Sequence, residues 1–497
     1  MAVVGACVAL IGGVYRWRIL HSPFGVLNAD ESITGIMALR LPRHVSVLLP
    51  GANYGGTLEA FLAWPLVHLL GPTAFAVKVV TMVLWAATAL VTYSIVRLSN
   101  QPVVVAVSAA SMVFVFSGSM VLLSTLAYPG YPAGLLAWAC CLYSLAASAA
   151  LSDSTRPETT ALRTGRFMHR WDYAAGFAAG IAVWMHPMFL PIALAAYAAA
   201  AWLHRRGFVR WLVRSGLGLV CGLGPFLIYN ASSGWPSLHE GFNAVNAPYP
   251  TRLKNFLIEL FPRGLGLRSA QGTWWAGPSL GHVLTLAVYL VIGLGCVVLV
   301  RQQRSFAPVV TGFLGLPLLG LFKHLAFFDD GRYFEPFVVP AAIGLAAGLW
   351  ALVTVSTAMR RRSGAAALLL GALTIGWIAT TNIPWTRDNL RVAVADPEAP
   401  VADAVRFLDQ HHARYVRGGY WAVYRIAYRS GLQILAGADV AQRFPYQQRA
   451  AEAGGPGEVG YAFLAGSEDR ALLLRPVGDY DRAVFGDLVV YAVKAVP

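Results

Sequence analysis

Apolar runs of bilayer length recur along this chain, and no other feature constrains its fold as much. They cover Ala74 to Val96, Val103 to Phe116, Pro132 to Leu151, Tyr173 to Leu203, Trp211 to Tyr229, Val283 to Val300, Ala307 to Leu321, Pro336 to Val355 and Ala365 to Thr381. A helix crossing a bilayer needs roughly 20 predominantly apolar residues, so these runs are read as spans. The 173–203 run is too long for one helix and is interrupted by His186, Pro187 and Pro191. It suits two short helices joined at His186-Pro187. The first run, Ala2 to Tyr15, is adequate only if it continues through Leu20. It lacks the basic lead and small-residue cleavage site of a removed signal. About 11 transmembrane helices are therefore expected. Composition agrees, with 57% hydrophobic and only 12% charged residues where soluble proteins carry about 25% charged.

Charge placement gives the topology. From Trp385 onward basic and acidic residues balance at 13 each, so the net charge of +14 lies in the membrane part. That distribution speaks against nucleic acid as a partner and for orientation signals in the loops. The connections holding Arg97, Arg156 to Arg170, His204 to Arg214, Arg301 to Arg304 and Arg360 to Arg362 all fall on one side, the cytoplasmic one by the positive-inside rule. The opposite side collects Asp30, Glu31, Asn53, Tyr54, Glu59, His186, Lys323, His324, Arg332, Tyr333 and Glu335, together with many aromatics. A polar, aromatic-rich outer face is where chemistry is expected, although aromatics alone also make an interfacial belt. All five cysteines lie inside apolar runs without metal-site spacing, and no disulfide is expected.

Residues 1–384 read as a transmembrane domain with outer-face loops at 17–73, 231–280 and 323–335. Between Gly56 and Gly71 lies an amphipathic stretch, too short to span, that suits a helix in the outer interface with Thr57 as its cap. Residues 385–497 read as a small extracytoplasmic α/β domain, with a helix over Val401 to His411 and strands from Leu472 to Val496 turning at Gly478 and Gly486. Its Asp479-Tyr480-Asp481 has the D-x-D form that metal-dependent transferases use, but such a triplet arises easily by chance and sits beside a turn.

The adjacent carboxylates Asp30 and Glu31 stand between two apolar segments. A carboxylate at a membrane surface can take a proton from a sugar or lipid hydroxyl, as glycosyl transfer requires. The alternative is structural, with Asp30 capping the following helix and Glu31 in its first turn. A second cluster runs from Lys323-His324 through Asp329-Asp330-Gly331-Arg332-Tyr333 to Glu335-Pro336. Arg332 with Lys323 suits a phosphate. Equally, Arg332 can pair with Asp329, Asp330 or Glu335 and anchor a turn.

In order and sidedness these segments resemble the GT-C superfamily of membrane glycosyltransferases, such as protein O-mannosyltransferases and lipid A aminoarabinose transferases. The resemblance rests on Asp30-Glu31, then Asn53-Tyr54-Gly55-Gly56-Thr57-Leu58-Glu59, the run Gly71 to Val80, and Gly331-Arg332-Tyr333-Phe334-Glu335-Pro336 continuing to Pro340. In the tail, Tyr420-Trp421-Ala422-Val423-Tyr424-Arg425 and Arg443-Phe444-Pro445-Tyr446 look like uncharacterised bacterial members. The resemblance implies a catalytic pair Asp30 and Glu31 with Asp30 as base. It also implies a donor-phosphate contact from Arg332; Lys323 and Tyr333 are expected beside it, and Asn53, Tyr54, His186 and His324 are expected to contact substrate. It further implies a polyprenyl-phosphate sugar donor, inversion at the anomeric carbon, and an acceptor that is an envelope glycan, lipid or protein. No divalent metal is expected to be required, and the active site is expected on the extracytoplasmic face of the plasma membrane. A lipid-linked-sugar flippase and a non-catalytic envelope scaffold are the other readings of so many spans with a polar outer face.

Overall fold

The computed structural model describes residues 2–52, 54–152, 161–239, 247–269, 272–319, 331–355, 363–440, 443–455, 457–468 and 480–494. Six of the described helices are long and apolar enough to cross a membrane: Ala74–Leu98, Tyr131–Leu151, Arg205–Ser232, Pro278–Gln302, Arg332–Val353 and Gly364–Asn389. The other expected spans correspond to helices Ala2–Leu20, Val103–Phe114, Ala161–Met185 and Phe189–Leu203, and to a broken run from Ala307 to Leu319. The chain is a mainly α, polytopic membrane protein with a small mixed sheet near its C-terminus. The first helix, α1 (Ala2–Leu20), does continue through Leu20, which supplies the length its apolar run lacks. The 173–203 run breaks at His186-Pro187-Met188, because proline removes a helix donor. The Met188 amide donates to His186 Nδ1 at 3.2 Å, which holds the break.

Packing divides the chain into two compact units, the first formed by 1–16, 83–124 and 131–391, the second by 17–82, 125–130 and 392–497. The last division falls between 391 and 392, close to the expected 384/385. The tail shares its unit with the first outer loop, the part of the sequence that carries Asp30.

In the first unit, helix Ala161–Met185 packs on Tyr131–Ser152 and on Phe208–Ser232. Gly176-x-x-x-Gly180 meets Gly218-x-x-x-Gly222, and a Cβ at any of the four would collide with the facing helix backbone. Small residues at this period let two spans approach closely, which is how helices associate where lipid removes the hydrophobic drive.

In the second unit come α2 (Ala29–Arg40), α3 (Leu58–Leu70) and the start of α4 (Ala74–Leu98). Thr57 precedes α3 but makes no side-chain cap. Its hydroxyl donates instead to the Ser46 carbonyl at 2.5 Å. The sheet is formed by β1 (Tyr415–Gly418), β2 (Leu435–Ala438), β3 (Val459–Leu464), β4 (Tyr480–Phe485) and β5 (Leu488–Val493), in the order β2-β1-β3-β5-β4. β1 is parallel to β2 and β3, while β5 runs antiparallel to β3 and β4. The turn joining β4 to β5 uses Gly486 at φ +59°, as expected from its glycine. The expected tail helix runs over Ala399–Gln410. Helix Tyr420–Arg429 follows β1 and packs on α2, approaching so closely that a Cβ at Gly35 would strike the Tyr428 ring.

Candidate catalytic site

The second unit gives the adjacent carboxylates different surroundings. Asn28, not Asp30, caps α2: its side chain accepts from the Glu31 amide at 3.0 Å, and Glu31 Oε2 accepts from the Asn28 amide at 3.0 Å. This reciprocal pair satisfies two donors at the helix start and corrects the expectation that Asp30 is the cap. The other oxygen of Glu31, Oε1, receives Lys78 Nζ at 2.6 Å and the Ala127 amide at 2.8 Å. The side chains of Lys78 and Glu31 are 0% and 1% exposed. Glu31 is therefore an anchor joining α2, α4 and the 125–130 segment. Stripping one partner from such a buried pair costs about 3–5 kcal/mol.

Asp30, one residue earlier, is half-buried and turns to the tail. Its Oδ1 accepts from the Tyr420 hydroxyl at 2.6 Å. Tyr420 opens its helix directly after Gly418 and Gly419, at the C-terminal end of parallel strand β1. Burial and then the Asp30 charge push the Tyr420 hydroxyl well above its ordinary pKa, so it stays a donor. Arg443 also hydrogen-bonds Tyr420 and feels the fields of Asp30 and Tyr54. Burial opposes its charge, but these neighbours outweigh burial and the net direction of its pKa is upward. Its backbone amide donates to Tyr424 at 2.7 Å, which fixes where the guanidinium starts. At the far end of α2, Arg40 lies 3.8 Å over the Tyr446 ring. The result is a partly accessible carboxylate oriented by a phenol, with arginine charge beside it. Such an arrangement can accept a proton from a bound hydroxyl.

Of the residues expected at the site, Asp30, Glu31 and Tyr54 belong to this unit, while Asn53 lies outside the described residues. His186, Arg332 and Tyr333 belong to the first unit and are brought together there around Tyr131. Arg332 Cζ lies 5.8 Å from the Tyr131 ring centre, and the His186 ring lies 4.6 Å from it. Tyr333 sits 6.4 Å from Tyr131 and 6.5 Å from His186. Gly331 at φ +79° makes the left-handed turn that sends Arg332 into the next span. Trp138 Nε1 donates to the Pro336 carbonyl at 3.0 Å and holds that entry in place. Lys323, His324, Asp329 and Asp330 lie outside the described residues, as does Asp479 of the D-x-D triplet. Asp481, its other carboxylate, pairs with His411 Nε2 at 3.0 Å. Among the described residues no group of three or more His, Cys, Asp or Glu is placed to hold a metal ion.

Sequence reasoning missed Lys78, Tyr420 and Arg443 as parts of the site. A signal existed for Lys78, since a lysine inside an apolar span implies a buried acidic partner. The tail motifs around Tyr420 and Arg443 stood out as segments, but nothing local in them names Asp30 as the group they meet.

No protein-family model and no curated protein matches this sequence. Solved structures do match. ArnT from Cupriavidus metallidurans in the apo state aligns with a TM-score of 0.63 at 11% identity, covering 99% of this chain and 97% of ArnT. The same protein bound to undecaprenyl phosphate gives 0.63 at 12% identity, with 98% and 97% covered. The Archaeoglobus fulgidus oligosaccharyltransferase in its apo form gives 0.53 at 12% identity, with 93% of this chain and 69% of that one covered. Both are GT-C superfamily membrane glycosyltransferases, and this chain has their fold.

Proposed function

We propose that this chain is a GT-C-type membrane glycosyltransferase that moves a sugar from a polyprenyl-phosphate donor to an extracytoplasmic envelope acceptor, with inversion and with Asp30 as base. The observation that carries the reading is the contrast within α2: Glu31 is consumed by structure, while Asp30 is half-buried and oriented by Tyr420 at 2.6 Å. In the proposed step the acceptor hydroxyl oxygen attacks the anomeric carbon and gives its proton to Asp30. The bond from that carbon to the phosphate oxygen breaks, and its electron pair leaves with the polyprenyl phosphate. One displacement inverts the centre. Because the leaving group is already an anion, it needs stabilised charge more than a proton, which a guanidinium supplies.

Arg332 is the proposed phosphate clamp, supported by its place beside Tyr131, His186 and Tyr333. The donor class is supported by ArnT, whose structure holds undecaprenyl phosphate, and by the archaeal oligosaccharyltransferase, solved with a dolichol-phosphate and an inhibitory peptide. Asp30 and arginine charge supply what the step requires without a divalent metal, so none is proposed to be needed. The outer-face location of the site rests on the positive-inside count of the loops.

The test uses purified full-length protein with a panel of polyprenyl-phosphate sugars and envelope extracts as acceptor, in the presence of EDTA. Sugar transfer from at least one lipid-linked donor, lost in Asp30→Asn, is the expected result. Transfer from nucleotide sugars alone, or transfer abolished by EDTA and restored by Mg²⁺ or Mn²⁺, would overturn the donor assignment.

A further inference from the structure

Where helix Phe189–Leu203 turns into helix Phe208–Ser232, the first unit holds a cavity of about 470 Å³. Arg205, Arg206, Arg210, Arg214 and Arg304 line it, and Asp172 is the one carboxylate among the described residues that line it. Arginines at span ends are ordinary orientation signals, and solvated ones need no ligand. Two buried donors set this cavity apart. Trp211, 3% exposed, and Ser305, 1% exposed, both line it. Neither the indole N–H nor the hydroxyl has a hydrogen-bond partner among the described residues. Leaving a buried donor unmet costs about 1–3 kcal/mol, so two of them on one basic cavity call for an acceptor.

The wall around them is ordered. Trp211 stacks on His204 with ring centres 5.3 Å apart and planes 8° apart. Asp172 accepts from the Ser148 hydroxyl at 2.5 Å and pairs with Arg214 at 3.4 Å, while Arg214 also meets His169. Asp172 thus offsets one guanidinium and leaves the cavity strongly positive. A compact anion with several acceptor oxygens matches forked guanidiniums plus two neutral donors, and phosphate is that group. Trp202, 5.7 Å from Arg205, is half-exposed beside the cavity, as aromatic side chains are at the headgroup level of a bilayer.

We propose that this cavity is a phosphate site that takes the headgroup of an anionic membrane lipid. It is separate from the residues assigned to the donor. Basic pockets between spans hold anionic headgroups by this chemistry.

The experiment is native mass spectrometry of the detergent-purified full-length protein, titrated with phosphatidylglycerol, with phosphatidylcholine and with inorganic phosphate. Phosphatidylglycerol should bind at least about 10-fold more tightly than phosphatidylcholine, a difference expected from charge-assisted hydrogen bonds. Arg210→Gln with Arg304→Gln should remove that preference. Trp211→Phe keeps the ring stacked on His204 but loses the N–H, and should weaken phosphatidylglycerol roughly 5- to 10-fold. Because that variant preserves the packing, its loss is not explained by misfolding. Inorganic phosphate displacing the lipid, with the same dependence on Arg210 and Arg304, would reassign the site to free phosphate and overturn the lipid as its occupant. Equal binding of the two lipids, or a preference unchanged in the arginine variant, would overturn the proposal entirely.

Discussion

The two adjacent carboxylates of α2 should fail in opposite ways when altered. Lys78→Met removes the charge 2.6 Å from Glu31 Oε1 in a place where neither side chain meets solvent. Among the described residues Glu31 then keeps the Ala127 and Asn28 amides as donors. Losing one charge-assisted hydrogen bond sets a floor of about 1.5–3 kcal/mol, and leaving the carboxylate buried without a counterion brings the expected cost to about 3–5 kcal/mol. Adding Glu31→Gln removes the orphaned charge, so the double variant should be more stable than additivity predicts by at least about 1 kcal/mol. Asp30→Asn should do the reverse. The amide oxygen still accepts from Tyr420, so stability should change by no more than about 1 kcal/mol. Transfer should fall about 10²- to 10⁴-fold, the range of a positioned acid–base group, or roughly 3–5 kcal/mol in barrier. Stability is read from denaturant titration in mixed micelles by tryptophan fluorescence, and transfer from the lipid-linked donor assay. Two results refute the reasoning: Lys78→Met within about 0.5 kcal/mol of the parent, or Asp30→Asn at full rate with Glu31→Gln stable but inactive.

Tyr420→Phe should lower transfer roughly 10-fold by releasing the Asp30 carboxylate, with the packing of its helix on α2 left in place; transfer kinetics and a melting curve separate the two effects. Arg332→Ala should weaken use of the polyprenyl-phosphate donor more than use of the acceptor, read as a larger rise in donor KM. Glu398 accepts from the Ala74 amide at 2.9 Å, but burial, only partly offset by that bond and by Arg429, raises its pKa above the ordinary carboxylate value. A raised carboxyl stabilises the fold fully below its unfolded pKa of about 4.3, and that contribution is lost as pH rises through the folded value. Glu398→Gln should therefore be more stable than the parent at neutral pH and equal to it in acid, as a pH series of unfolding midpoints would record.

The membrane part was readable because its rules are local. Proline at 187 and the length of each apolar run follow from a few residues at a time, so the break at His186-Pro187 falls where run length and proline put it. The tail was harder. β4 and β5 and the helix over Ala399–Gln410 carry turn and amphipathic signals of their own, whereas β1 and β2 are four-residue strands that each contain a glycine, too short to read as strands. That the tail shares a unit with the first outer loop was not legible, because a composition shift near Trp385 does not say which distant segment the tail packs with. For the candidate site, the adjacent carboxylates stood out in the sequence, while the partners of each did not. A helix turns about 100° per residue, so neighbouring carboxylates face different partners, and those partners sit 47 and 390 positions away in sequence.

Within the second unit that geometry ties the tail to the first outer loop. In the second unit α2 is held on one face by Lys78 and the Ala127 amide and on another by Tyr420, with Gly35 cleared to let the Tyr428 ring approach. Tyr428 donates to the Thr73 carbonyl at 3.0 Å and Arg429 to the Pro72 carbonyl at 3.3 Å, so the same tail helix also grips the entry to α4. A base on a loop would lose rate for each ångström of wander. Asp30, the proposed base, sits on a short helix fixed by a buried ion pair and accepts from a tyrosine that opens a helix at a strand end, which limits such wander. If Asp30 is the proton acceptor as proposed, the α/β tail positions it, and Tyr420 is the residue through which it acts.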